Sequence, residues 1–328
     1  MLLGFGRLPM TNQATETISG VLLLAHGGPD SLEDVEPFLT NIRGGRPFPR
    51  ELLEEVRERY RIIGGRSPLL EISRRQALAL ERELNADGGR FRVYVGMRNW
   101  RPFIRDTMRE IEQDGVTRLV ALCLAPQNSR KSVGLYFQHM KNAQEQLGWS
   151  TPTALIESWH LEPLLIEAFT EKMCEALAGF PADASAPPSV VFTAHSLPEK
   201  VLAEGDPYDG EVRGTARAVA ERCGLKNWRF AYQSQGATSE PWLGPTVEAV
   251  LEELAREGSR RALIAPIGFV ADHVEVLYDI DIAFQRFAEN QGITLRRTAS
   301  LNDSPTLIRA LAALVHRHVD SPSKSENL

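Results

Sequence analysis

One internal echo constrains this chain more than any other feature. An apolar run, Gly20-Val21-Leu22-Leu23-Leu24-Ala25, stops at His26-Gly27-Gly28-Pro29, and a second, Val190-Val191-Phe192, leads through Thr193-Ala194 into His195-Ser196-Leu197-Pro198. Each reads as a buried strand ended by turn residues, with an imidazole at the junction. In both, an alanine precedes the histidine and a proline stands three positions after it. Uninterrupted apolar runs of this kind belong to parallel sheets covered on both faces. In open α/β sheets ligands bind beyond the carboxyl ends of the strands, where both histidines are expected.

The correspondence continues in order. Phe91 to Val95 ends at Met97-Arg98-Asn99-Trp100-Arg101-Pro102, and Trp228 to Tyr232 ends at Gln233-Ser234-Gln235. Leu119 to Leu124 ends at Ala125-Pro126, as Ala262 to Ile264 ends at Ala265-Pro266. Thr153 to Ile156 and Ile293 to Thr298 complete four strands in each half. Helical patterns separate them: Leu52 to Ile63, Pro68 to Asn85, Ile104 to Asp114, Ser132 to Leu147, Gly210 to Cys223, Val247 to Glu257 and Pro305 to Val319. Gly64-Gly65 stops the first, and Ser67-Pro68 opens the second. Alternating strands and helices imply right-handed crossovers and parallel sheets. The expected fold is therefore α/β: two similar Rossmann-like (flavodoxin-like) domains, each a four-stranded parallel sheet flanked by helices, facing across a cleft. The expected limits are residues 20–170 and 185–320, with the last helix crossing back onto the first domain. Residues 1–19 and 321–328 are expected to be flexible.

Composition narrows the function classes. The 328 residues are 43% hydrophobic and 24% charged, with a net charge of −6, which argues against a nucleic-acid platform. Cys123, Cys174 and Cys223 are odd in number, widely spaced and form no C-x-x-C pair, so a reducing, cytoplasmic setting fits best. The apolar start Met1-Leu2-Leu3-Gly4-Phe5 leads into no signal-peptide core, and no run is long enough to span a membrane.

The second informative stretch is Pro266 to Asp281, which follows a strand and holds His273, Glu275 and Asp279. One helical turn separates Glu275 from Asp279, so the two carboxylates share a face. The apolar opening Ile267-Gly268-Phe269-Val270 buries that helix start, where unpaired carboxylates are costly. Either a divalent cation passes along this face or it is a solvated acidic stripe. Imidazole and carboxylate ligands suit a ferrous ion that must be released, whereas thiolates would hold it too tightly. His139, His160, His316 and His318 lack acidic residues at useful spacing and read as surface positions.

Taken together, these residues resemble the ferrochelatase family, whose enzymes insert ferrous iron into a porphyrin. The resemblance is carried by His195-Ser196-Leu197-Pro198-Glu199-Lys200, Gly205-Asp206-Pro207-Tyr208, Tyr232-Gln233-Ser234-Gln235, Pro241-Trp242-Leu243-Gly244-Pro245 and Gly268 through Glu275. Ile63-Gly64-Gly65-Arg66-Ser67-Pro68 and Pro102-Phe103-Ile104 carry it in the first half. It implies that His195 and Glu275 are the catalytic pair, that His195, Glu275, His26 and Asp279 meet the metal, and that iron enters as substrate. A neutral imidazole can accept a pyrrole proton near neutral pH while a carboxylate ligates the cation. Family members of the shorter bacterial type often carry tyrosine where this chain has His26, Asn99 replaces a histidine of some relatives, and Ala283 replaces a carboxylate. Nothing cysteine-bearing follows Cys223, so no iron–sulfur cluster is expected.

The resemblance is nearest to the coproporphyrin III ferrochelatases, which make coproheme on the way to heme. The substrate contacts it implies are His26, Arg43, Arg46, Arg59, Tyr60, Ser67, Tyr136 and Ser196. Arginine meets a carboxylate through two parallel hydrogen bonds, which suits a porphyrin with four propionates. Protoporphyrin IX is the near alternative. A sirohydrochlorin-type chelatase or a non-enzymatic tetrapyrrole-binding protein is more distant. The expected partners are the porphyrin and, transiently, neighbouring heme-pathway enzymes, with no nucleic acid and no stable membrane insertion.

Overall fold

The computed structural model describes residues 17–180, 187–236 and 239–319. The tails expected to be flexible lie outside these residues, apart from 17–19, and Ser19 already belongs to the first strand. Two four-stranded parallel sheets form the framework. The first holds β1 (Ser19–Ala25), β2 (Phe91–Met97), β3 (Arg118–Cys123) and β4 (Thr153–Ile156) in the order β2-β1-β3-β4. The second holds β5 (Ser189–His195), β6 (Trp228–Gln233), β7 (Arg261–Ala265) and β8 (Thr294–Arg297) in the matching order β6-β5-β7-β8.

The echo is therefore structural: β1 and β5 occupy the same central place in their sheets. Chain direction across each sheet reverses beside that strand, so His26 and His195 stand at the two topological switch points. Every residue of β1 is buried. Leu22, Leu23 and Leu24 are fully enclosed, each contributing roughly 2 kcal/mol of apolar burial.

In the first half the sheet is flanked by α1 (Val35–Ile42), α2 (Arg50–Ile62), α3 (Leu69–Asn85), α4 (Ile104–Gln113), α5 (Val133–Leu147) and α6 (Pro163–Ala178). The second half adds α7 (Lys200–Ala203), α8 (Tyr208–Arg222), α9 (Val247–Arg256), a π-helix (Glu275–Phe284), α10 (Gln285–Asn290) and α11 (Pro305–His318). α6 runs through the expected division between the halves and packs on α8, while α11 packs on both α6 and α3. Val21, Leu80, Phe192, Leu263 and Leu311 belong to one continuous apolar cluster that joins the halves. No helix among the described residues is long and apolar enough to cross a membrane.

Three features differ from the pattern reading. β5 runs on to His195, because its ladder with β6 extends to the His195–Gln233 pair and Ser196 N–H donates to Gln233 O at 2.7 Å. α1 and α6 emerge from segments with no recognised helical signal. The helix that begins at Glu275 is a ten-residue π-helix, a wide form seen mostly as single turns at functional sites.

Candidate active site

His195 is the last residue of β5, and its ring is oriented by the chain that follows. Nδ1 lies against Ser196 O; a carbonyl oxygen only accepts, so Nδ1 carries the proton of the neutral ring. The Nε2 lone pair is thereby left open, 3.6 Å from Glu275 Oε1. The Tyr208 hydroxyl donates to His195 O at 2.9 Å and pins the strand end.

Glu275 opens the π-helix and is placed from below by Gln233. The Gln233 amide accepts from Thr193 Oγ1 at 2.8 Å and donates from Nε2 to Glu275 O at 2.9 Å, splinting β5, β6 and the π-helix together. Gly268 permits the close approach: a Cβ there would meet Ala194 Cα at 2.8 Å. His273 completes the group, with Nδ1 donating to Ala271 O at 3.0 Å and Nε2 lying 3.7 Å from Glu275 Oε2. That Oε2 is buried and makes no hydrogen bond.

The electrostatics follow from this geometry. Burial opposes ionisation of Glu275, yet His195, His273 and His26 together outweigh it and hold the carboxyl down at about 2. Burial also disfavours charge on His273, but the adjoining Glu275 carboxylate raises it above its ordinary value. One turn on, burial raises Asp279, with Glu275 adding to the shift against the Ser234 hydrogen bond and Arg59. Ser234 Oγ donates to Asp279 Oδ2 at 2.5 Å from a backbone at φ +59°, a left-handed conformation that costs a serine about 1 kcal/mol or more.

On the facing wall, His26 follows β1. The turn after it needs Gly27, whose φ is +90° and whose Cβ would meet Trp100 N at 2.9 Å. The His26 ring is exposed at the end of β1, and its crowded surroundings push it toward the neutral form.

The other expected contacts separate into two groups. Arg59 of α2 reaches the π-helix, with Nη1 3.6 Å from Asp279 Oδ1 and the guanidinium 5.3 Å over the Tyr278 ring. Arg43 ends α1, stacked 5.4 Å over Phe48, and Arg46 Nε donates to Arg43 O, so these two form an exposed basic corner. Tyr60, Ser67, Tyr136 and Ser196 are buried. Tyr60 packs among Val35, Phe38 and Trp100. Ser67 lies against Gly28 and accepts from Leu69 N–H at 3.3 Å. Tyr136 sits beneath Arg98, 5.7 Å away. Ser196 is fully enclosed, with its hydroxyl committed to Leu243 O at 2.8 Å.

Pattern reading missed partners distant in sequence. His160, read as a surface residue without an acidic partner, has Nδ1 3.3 Å from Glu211 Oε2 and 2.8 Å from Ser158 Oγ. Gln233, Ser234 and Asn99 enter the site only through tertiary contacts. Their one linear signal is their position at strand ends. Among the described residues, no three His, Cys, Asp or Glu side chains close on one point as a preformed metal site. Instead Glu275 stands between His195, 3.6 Å away, and Asp279 one turn further along the same helix, an order suited to passing a cation.

A family model described as Ferrochelatase matches residues 18–319. The ferrochelatase of Acidobacterium capsulatum is 45% identical over 326 residues, covering 95% of this chain and 98% of that protein. The coproporphyrin III ferrochelatase of Bacillus subtilis is 38% identical over 299 residues, covering 90% and 96%. In fold, the sirohydrochlorin chelatase of Bacillus subtilis subspecies spizizenii, solved with cobalt, superposes at a TM-score of 0.58 over 93% of this chain and 97% of that one, at 12% identity. Twin parallel sheets are thus a shared fold, whereas the sequence match over residues 18–319 is particular: the chain is an enzyme of heme biosynthesis and belongs to the ferrochelatase family.

Proposed function

We propose that this enzyme inserts ferrous iron into coproporphyrin III, giving coproheme, with His195 and Glu275 as the catalytic pair. The observation that carries the pairing is the open Nε2 of His195 beside a Glu275 carboxylate whose second oxygen is buried without a hydrogen bond. The reaction releases two protons from pyrrole nitrogens as the ion enters. His195 Nε2 accepts the first, and the imidazolium so formed faces Glu275, which stabilises it; the ring then gives that proton up to water at its exposed edge before accepting the second. Glu275 and Asp279 ligate the incoming ion in succession, and His26 approaches the opposite porphyrin face. Side chains of 32% and 30% exposure keep His195 and Glu275 within reach of a flat ligand in the cleft.

For the substrate, the basic corner of Arg43 and Arg46 at the end of α1 and the Arg59 guanidinium beside the π-helix would meet propionates, which suits a ligand rich in carboxylates. Relatives named coproporphyrin III ferrochelatase, at 37–39% identity, support the same choice. The test is to supply the purified enzyme with ferrous iron and either porphyrin and to follow metalloporphyrin absorbance. A kcat/KM at least about tenfold higher for coproporphyrin III is expected. A preference for protoporphyrin IX would overturn the substrate, and turnover of neither would overturn the reaction.

A further inference from the structure

We infer that Asn99 is a positioning residue that holds His26 as the Nδ1–H tautomer and caps the Nε2 lone pair with its carboxamide. This rests on the reading of the cleft as a metal-insertion site, and it concerns how the His26 wall behaves once iron is in place.

Two contacts agree on the tautomer. His26 Nδ1 lies 3.2 Å from Gly27 O, which only accepts, and His26 Nε2 lies 3.0 Å from Asn99 Nδ2, which only donates. The proton therefore sits on Nδ1, and the amide occupies Nε2. Asn99 has little freedom to leave. It is 4% exposed, its N–H donates to His26 O at 3.0 Å, and its C=O accepts from Asn41 Nδ2 at 3.2 Å. The neighbouring Arg98 N–H donates to Ala25 O at 2.9 Å, continuing the register of β1 with β2.

The two switch-point histidines thus share a tautomer and differ in what meets Nε2. His195 presents an open lone pair to a carboxylate, whereas the lone pair of His26 is covered by an amide. Iron at the porphyrin centre can bind His26 only by displacing that hydrogen bond. The bond lost offsets part of the iron–nitrogen bond gained, which weakens the hold on the product and favours its release.

Three variants and three readouts test this. Asn99→Ala uncovers Nε2, so ferric coproporphyrin III should bind about tenfold tighter, with an absorption band shifted toward histidine ligation. Turnover should slow through kcat with KM little changed. His26→Ala/Asn99→Ala should lose both the tightening and the shift. Independently of any porphyrin, 15N-histidine NMR of the metal-free protein should show His26 with Nδ1 protonated and Nε2 bare. Asn99→Asp, of the same shape but with an acceptor in place of the donor, should move a proton onto Nε2. A wild-type signal with Nε2–H would overturn the inference, since the amide would then be turned the other way. So would an Asn99→Ala enzyme with unchanged affinity and spectrum, or a change that persists in the double variant. Should the protein bind no porphyrin at all, the metal-insertion reading fails, while the nitrogen signals still decide the tautomer.

Discussion

Glu275 is ionised against its own burial because three imidazoles surround it, and this sets the chemistry of the second-domain wall. Removing the charge has two separable consequences. Glu275→Gln keeps the shape but neither ligates a cation well nor stabilises an imidazolium, so metal insertion should fall at least about a hundredfold, as it should in His195→Ala. A loss under fivefold in either variant would exclude that residue from the pair. The second consequence is read without metal or porphyrin. His273 is raised above its ordinary 6.5 because Glu275 outweighs burial, so in Glu275→Gln its NMR titration midpoint should drop. The signs for stability are opposite in the two partners. Glu275 is depressed, so its contribution is present above its ordinary 4.5 and is lost as pH falls toward about 2. His273 is raised, so its contribution is full below 6.5 and is lost as pH climbs through the raised value. An unmoved His273 midpoint in the variant would mean the two side chains are not coupled.

At the scale of elements, the site depends on how closely the segment after β7 rides over the end of β5. A methyl on Gly268 would meet Ala194 Cα and Cβ at 2.8 Å, and neither atom can swing away. Gly268→Ala should cost about 1–3 kcal/mol in urea denaturation and should reduce insertion by moving Glu275 off His195. Wild-type stability and rate together would show that the loop has slack there. The strands that carry His26 and His195 were legible because buried parallel strands leave continuous apolar runs ended by turn residues. The π-helix was not, since ten residues with mixed burial do not distinguish an i→i+5 ladder from an ordinary helix. α1 and α6 escaped for a related reason: α1 is eight residues long, and α6 is apolar on more than one side, which blurs its period. The His195–Glu275 pair was visible through the family resemblance, but the Gln233 splint and the Asn99 cap were not. Neutral amides reveal a role only once the fold supplies their partners.

At the scale of the whole molecule, the two halves are tied on the side of β3 and α8, and one carboxylate anchors that tie. Asp206, 8% exposed, accepts from Ser129 Oγ at 3.0 Å, from Arg130 N–H at 2.8 Å and from Tyr208 N–H at 3.0 Å. The first two donors belong to the loop after β3 in the first half, and the third opens α8 in the second. Glu211 repeats the arrangement with Asn128 N–H at 2.6 Å and Ser158 Oγ at 2.7 Å. Removing the Asp206 side chain leaves three donors without their acceptor, two of them buried with it, so Asp206→Ala should lose about 2–4 kcal/mol in urea denaturation. Because Tyr208 also braces His195 O, insertion should weaken as well, even under conditions where the variant is fully folded. A variant that unfolds at the wild-type urea midpoint would show that the apolar core shared by β1, β5 and α11 holds the halves together without this tie. A destabilised variant with unimpaired insertion would separate the tie from the strand end that carries His195. The expected coupled loss instead makes Asp206 the link between the tie that joins the halves and the strand end that carries His195.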